Sequence, residues 1–225
     1  LLGSLTGADV AASTNLTGAA KYGADWTLEY QTGGIEAHAL AFDAFDSTLD
    51  VAFISASGAP SVNGLHNVGA SATWSNVATV GGQPIDIRAT VVAADAGANI
   101  SFGTTGDDLR MELENGQATV QWELFLAGTT TPVTADVNFQ INDLDGPNIE
   151  SVSATTGYTV DAASHLAVTN VGGVITAAGT QNQNGEPNSM IRFTWLGASS
   201  MTVDYNATAG NDIRIFNHDG DLDLA

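Results

Sequence analysis

Leu109-Arg110-Met111-Glu112-Leu113-Glu114-Asn115-Gly116-Gln117-Ala118-Thr119-Val120-Gln121-Trp122-Glu123-Leu124-Phe125-Leu126 is the stretch whose reading decides the fold. Leu109, Met111 and Leu113, then Ala118, Val120, Trp122, Leu124 and Leu126, take every second position. Successive side chains of a strand point to opposite faces, so this spacing predicts strands with one face on a core and one in water. Asn and Gly tolerate positive φ, and an Asn-Gly pair between two such runs predicts a tight hairpin joining strands at 107–114 and 117–127.

The same alternation extends in both directions. It recurs at Trp26, Leu28, Tyr30; at Leu49, Val51, Phe53; at Ile85, Ile87, Ala89, Val91; and at Val133, Ala135, Val137, Phe139, Ile141. Towards the C-terminus it continues at Ile191, Phe193, Trp195; at Met201, Val203, Tyr205; and at Ile213, Ile215. Gly81-Gly82-Gln83-Pro84, Gly103-Thr104-Thr105-Gly106 and Asn182-Gln183-Asn184-Gly185-Glu186-Pro187 supply turns. Helical periodicity is scarce, and Ile35 to Phe45 reads either way. The expectation is an all-β protein, an antiparallel β-sandwich with long turn-rich loops, the longest running from Ser55 to Ser75. No internal repeat stands out, which argues against a solenoid. Residues 1–225 are read as one ligand-binding sandwich, with residues 1–70 either belonging to it or packing against it.

Composition narrows the partners. The chain carries 25 acidic residues against 5 basic ones, a net charge of -20. The basic residues are scattered at Lys21, Arg88, Arg110, Arg192 and Arg214, so no basic patch exists for nucleic acid or anionic lipid. With no cysteine, disulfides and thiolate metal sites are excluded. No run of about eighteen apolar residues and no charged leader is present, so neither a membrane span nor an intact signal peptide is expected. The start at Leu1 reads as a piece of a longer chain, here taken to act as a monomeric domain.

Two oxygen-rich segments point to a hard cation. Asn142-Asp143-Leu144-Asp145-Gly146 follows the cleanest amphipathic strand, and Asn217-His218-Asp219-Gly220-Asp221-Leu222-Asp223 resembles a counterpart. Calcium takes six to eight oxygens at about 2.3–2.6 Å, which alternate carboxylates beside a glycine turn can supply. Asp143 and Asp145 are candidate ligands, with Glu150 closing the shell, and Asn217, Asp219, Asp221 and Asp223 share one side of an extended strand. The first segment also reads as a plain Asp-Gly turn, and the second as a solvated acidic tail. Asp107-Asp108 and the loop bearing Asn182, Asn184 and Glu186 are further oxygen-rich candidates. There is no EF-hand glutamate, no His-x-x-x-His pair and no nucleophile elbow. Catalysis is not expected: some pair among so many acids meets a glycosidase spacing by chance. Trp26, Trp122 and Trp195 fit core faces, which leaves Trp74 as the aromatic outside a strand pattern.

The blocks Gly81 to Thr90, Asp136 to Gly146 and Arg214 to Asp221, in this order, resemble the peptide-binding domains near the C-terminal ends of giant bacterial RTX adhesins. The likeness covers residues 70–223. It rests on the strand with an Asp-x-Asp-Gly exit, Glu150, the strand at Ala178-Gly179-Thr180 and the terminal Asp-Gly-Asp element. The resemblance implies an extracellular, cell-surface β-sandwich that uses Ca²⁺ to capture the free C-terminal peptide of a partner surface protein, in adhesion and biofilm formation. Asp143 and Asp145 carry over as calcium ligands, with Glu150, Asp219 and Asp221 beside them. A peptide carboxylate needs a positive counterpart, and the bound ion assisted by Arg192 or Arg214 would provide it. A calcium-dependent carbohydrate-binding module that takes a glycan, and a structural spacer, are the competing readings.

Overall fold

The computed structural model describes residues 9–14, 17, 25–34, 51–64, 66–147, 149–181, 188–207 and 213–223. The chain divides into two compact units, Leu1–Val51 with Asp223–Ala225, and Ala52–Leu222. In the first, β1 (Val10–Ala12) pairs antiparallel with β2 (Tyr30–Thr32). Glu29 accepts the Thr14 N–H at 2.8 Å. The Ile35 to Phe45 segment lies outside the described residues.

Among its described residues the second unit contains fifteen strands and no helix. They are β3 (Val51–Ile54), β4 (Ser61–Asn63), β5 (Ser71–Val80), β6 (Gln83–Ala94), β7 (Asn99–Thr105), β8 (Asp108–Glu114), β9 (Gly116–Leu126) and β10 (Ala135–Asn142). Then follow β11 (Glu150–Ala154), β12 (Gly157–Val160), β13 (Leu166–Val171), β14 (Val174–Gly179), β15 (Ile191–Ala198), β16 (Ser200–Ala207) and β17 (Ile213–Asp223). One sheet runs β12-β15-β10-β17-β8-β7, with β3 also on β17. The other runs β13-β14-β11-β16-β9-β6-β5-β4. The all-β class and the antiparallel sandwich are as the alternation predicts.

The hairpin expected at Asn115-Gly116 does not form. Both strands exist, but β8 lies in one sheet and β9 in the other. Asn115 and Gly116 do take positive φ, 61° and 79°. Asp95 accepts the Gln117 N–H at 3.0 Å, and the turn carries the chain from layer to layer. Leu113 and Ala118 therefore face one core from opposite sheets, where a hairpin would place them side by side. Alternation reports which face is buried and is silent on the partner strand.

Other departures follow from packing. The Ser55–Ser75 segment is not one long loop: it contains β4 and the start of β5, and Ala70, Ala72 and Trp74 are buried. Trp74 stacks on Trp122 with centroids 5.7 Å apart and donates to the Gly103 carbonyl at 3.0 Å, so it belongs to the core. A bulge in β5 near Asn76 hides its phase. It is pinned by the buried Asp86 carboxylate, which accepts the Asn76 and Gly128 N–H groups, each at 2.9 Å. Phe53 is exposed while Ile54 is buried, the reverse of the expected face. On β17, Ile213 is exposed and Phe216 and His218 are the core residues.

The core holds a polar chain that spans both layers. Trp122 Nε1–H donates to Tyr205 Oη at 3.1 Å, and Tyr205 Oη lies 2.8 Å from His218 Nε2. His218 Nδ1 lies 3.1 Å from the Leu109 carbonyl. A carbonyl only accepts, so Nδ1 carries the proton and Nε2 accepts from the tyrosine. Every polar atom of the chain is thereby paired. Burial pushes the tyrosine pKa upward and holds His218 down at about 3.

Tyr205→Phe should lower stability by about 2 kcal/mol or more, since it strands the indole N–H and the imidazole nitrogen in the core. A drop in the urea midpoint at unchanged slope checks this. His218 must charge on unfolding, so the stability its neutrality confers is present above about pH 6.5 and is lost as pH falls towards 3. His218→Gln, which cannot titrate, should show a flatter acid limb than the parent in urea titrations at pH 6.5 and pH 4.

Candidate functional site

The Asp-x-Asp-Gly segment forms the exit of β10 at one end of the sandwich. Asp143 takes φ 67°, an uncommon conformation for a non-glycine residue that Asp tolerates better than most. Leu144 is buried, whereas Asp143 and Asp145 are half-buried. The turn is docked on its neighbours: Leu144 N–H donates to the Ser189 carbonyl at 3.0 Å and Gly146 N–H to the Gln181 carbonyl at 2.9 Å. Beneath it lies Gly179, the last residue of β14. A Cβ there would lie 2.8 Å from the Asp145 carbonyl carbon and oxygen and 2.9 Å from the Leu144 oxygen.

Glu150 opens β11 on its core-facing side and is 3% exposed. Its Oε2 accepts the Asp145 N–H at 2.9 Å. Its Oε1 is 3.9 Å from Arg214 Nε on β17, so the pair bridges the two sheets. Burial, with the Asp145 and Asp143 charges, pushes the Glu150 carboxyl up to about 7 against the opposing Asp145 N–H and Arg214. The Asp143 and Asp145 charges are thus near enough to Glu150 to disfavour its ionised form. Asn142, 4% exposed, has a buried Oδ1 with no hydrogen-bond partner. The donors here are all oxygens, the set suited to a hard cation. Among the described residues, no group of three or more acidic or histidine side chains is arranged to hold a metal ion. A cation here would therefore need Asn142 Oδ1 and backbone carbonyls as well as the carboxylates.

The C-terminal segment is neither a turn nor a tail. It lies in β17, between β10 and β8. Phe216, His218 and Gly220 are buried, and Asn217 and Asp219 occupy the opposite, half-buried face. Asp219 Oδ1 accepts the Gly220 N–H at 2.7 Å. The Asp221 and Asp223 side chains lie outside the described residues. Asp107 and Asp108 serve a β7–β8 turn, where the Asp107 carbonyl accepts the Ala56 N–H at 2.6 Å.

Arg192 and Arg214 do not converge. Arg192 points off the outer face of β15 and donates to Gln140 Oε1 at 3.0 Å, whereas Arg214 faces inward to Glu150. Arg88 and Arg110 are also committed, to Glu123 at 2.9 Å and Glu112 at 3.3 Å. Asn182, Asn184 and Glu186 lie outside the described residues; in sequence they fall between Gln181 and Ser189, whose carbonyls hold the Asp143–Gly146 turn. Asn142 and Gly179 lie within segments that the sequence singled out, Asn142–Gly146 and Ala178–Thr180, but neither was given a role of its own there. The only signals were a polar residue ending an amphipathic strand and a glycine in an Ala-Gly-Thr run.

Residues 1–49 match a domain of unknown function, DUF4347. No curated protein matches the chain. Among solved structures, the chain resembles the N-terminal domain of the Streptococcus gordonii adhesin Sgo0707, with a TM-score of 0.49 and 13% identity. The likeness covers 69% of this chain and 49% of that one, so the chain spans about half the length of the structure it resembles. That protein is an adhesin, and at this distance nothing about ligands passes from one chain to the other.

Gly179→Ala should destabilise the protein by about 1–3 kcal/mol, because backbone atoms rather than a flexible side chain block the new methyl. Thermal unfolding checks the loss, and amide shifts centred on Asp145 would locate it.

Proposed function

We propose that this chain is a calcium-dependent ligand-binding module of a bacterial surface adhesin, which captures the free C-terminal peptide of a partner surface protein. The observation that carries the reading is the oxygen-only cluster at the β10 exit: Asp143 and Asp145 beside a buried Glu150 whose pKa they help to raise, next to the orphaned Asn142 Oδ1. A divalent cation would relieve that repulsion and satisfy the orphan atom. Its charge would then offer a peptide carboxylate the attraction that the arginines, already engaged by Glu150, Gln140, Glu123 and Glu112, do not. Such modules act in numbers on a cell surface, so modest affinity per site suffices. The adhesin class agrees with that of the streptococcal protein but does not rest on it.

The first expected outcome concerns stability. Millimolar calcium should raise the unfolding temperature relative to EDTA and to millimolar magnesium, by an amount equivalent to about 2.7 kcal/mol at a hundredfold excess over Kd. Asp143→Asn with Asp145→Asn should abolish the rise. Equal curves in all three buffers would end the calcium reading. The second concerns the ligand: in calcium, an array of free-carboxylate peptides should bind and the same peptides amidated should not. Binding confined to a glycan array would favour the lectin-like alternative, and no binding to either would leave a spacer.

A further inference from the structure

A second site lies in a notch in the larger sheet, away from the acidic turn. β16 is paired to β9 over its whole length, Ser200↔Glu123 to Ala207↔Gly116. On its other side β11 accompanies it only from Glu150↔Ala207 to Ser153↔Asp204. After Ala154 the chain leaves the sheet: the Thr156 hydroxyl donates to the Thr194 carbonyl, and β12 pairs with β15 in the opposite layer. Ser200 to Val203 are therefore left without a β11 neighbour, and Val174 of β14 stands across the gap. The half-buried indole of Trp195, on the inner face of β15, closes the bottom.

The resulting cavity of about 300 Å³ is lined by Ala154, Thr155, Val174, Trp195, Ser200, Thr202 and Asp204. Its volume is at the small end of the range for ligand clefts. The lining combines an indole, three hydroxyls and one carboxylate, and contains no basic side chain. Asp204 is exposed, and its Oδ1 accepts the Thr119 hydroxyl at 2.6 Å. An anionic ligand would meet Asp204 with no countercharge, which excludes phosphates and peptide carboxylates. A neutral polyhydroxyl ring fits the chemistry: its apolar C–H face covers the indole, and its hydroxyls exchange hydrogen bonds with the hydroxyl side chains and donate to the carboxylate.

We propose that this notch binds one unit of an uncharged saccharide, its C–H face on Trp195 and its hydroxyls on Ser200, Thr202 and Asp204. The site is separate from the acidic turn and independent of calcium, so either proposal stands if the other fails.

The test is a titration of the full chain in EDTA with neutral disaccharides of differing linkage, reading the four tryptophan indole N–H signals. Trp195→Phe assigns the signal and keeps an aromatic against Phe193, whose ring lies 5.8 Å from the indole. At least one saccharide is expected to shift the Trp195 signal in saturable fashion. Asp204→Ala and Thr202→Val, at exposed strand positions, should each weaken binding about tenfold, the equivalent of one lost hydrogen bond. The proposal is overturned if no saccharide moves that signal, if both variants bind as the parent does, or if only peptides move it.

Discussion

One buried hydrogen-bonded chain, Trp122 to Tyr205 to His218 to the Leu109 carbonyl, holds the two layers in fixed correspondence. Trp122 and Tyr205 belong to one sheet, His218 and Leu109 to the other. Apolar contacts alone tolerate sliding, because a leucine is satisfied by many neighbours. A donor-acceptor sequence with directional ends is satisfied in one arrangement, and misplacing any member leaves polar atoms bare in the core. The rings add their own packing: His218 lies 4.7 Å from Trp122 and 5.2 Å from Phe139, with Trp74 stacked behind. Arg214 and Glu150 repeat the principle at the end of the sandwich with charged groups, and the acidic turn hangs from that pair through the Asp145 N–H.

The sequence made the class of the fold legible because alternation depends only on one face being buried. Val133 to Asn142, Ile191 to Trp195 and Met201 to Tyr205 could be read directly as strands. Pairing was not legible, and Asn115-Gly116 shows why: the local backbone preference was satisfied, yet the turn joins layers instead of neighbours. Whether two strands separated by a tight turn pair or part depends on what the rest of the chain offers. Here β9 takes β16 and β6 as partners, and β8 takes β17 and β7. Trp74 was misread because a bulge broke the period beside it.

The candidate site was legible in its carboxylates and illegible in its support. Glu150 accepts the Asp145 N–H and feels the charges of Asp143 and Asp145. Nothing local marks Gly179 as the surface on which Leu144 and Asp145 rest, since the requirement comes from a strand more than thirty residues away. The arginines could not be placed for a similar reason: sequence shows that a cation exists, and only the structure sets Arg214 3.9 Å from Glu150. The alternating acids of the last strand lie on extended backbone, one of the two readings the sequence left open, and their place between β10 and β8 depends on ladders that close across the whole unit.

Those ladders govern the order in which the molecule can assemble. Among the described residues of the second unit, four connections, β4–β5, β5–β6, β7–β8 and β13–β14, join strands that pair with each other; its other ladders connect distant parts, with Ile213 opposite Glu114 and Ala207 opposite Gly116. Loop closure must precede the reward for such contacts, which slows folding. As β17 occupies the middle of its sheet, between β10 and β8, that layer keeps a gap until residues 213–223 have been made, whereas the other layer has all its strands by Ala207. The two layers are thus completed in order, and β17 must enter between partners made long before it.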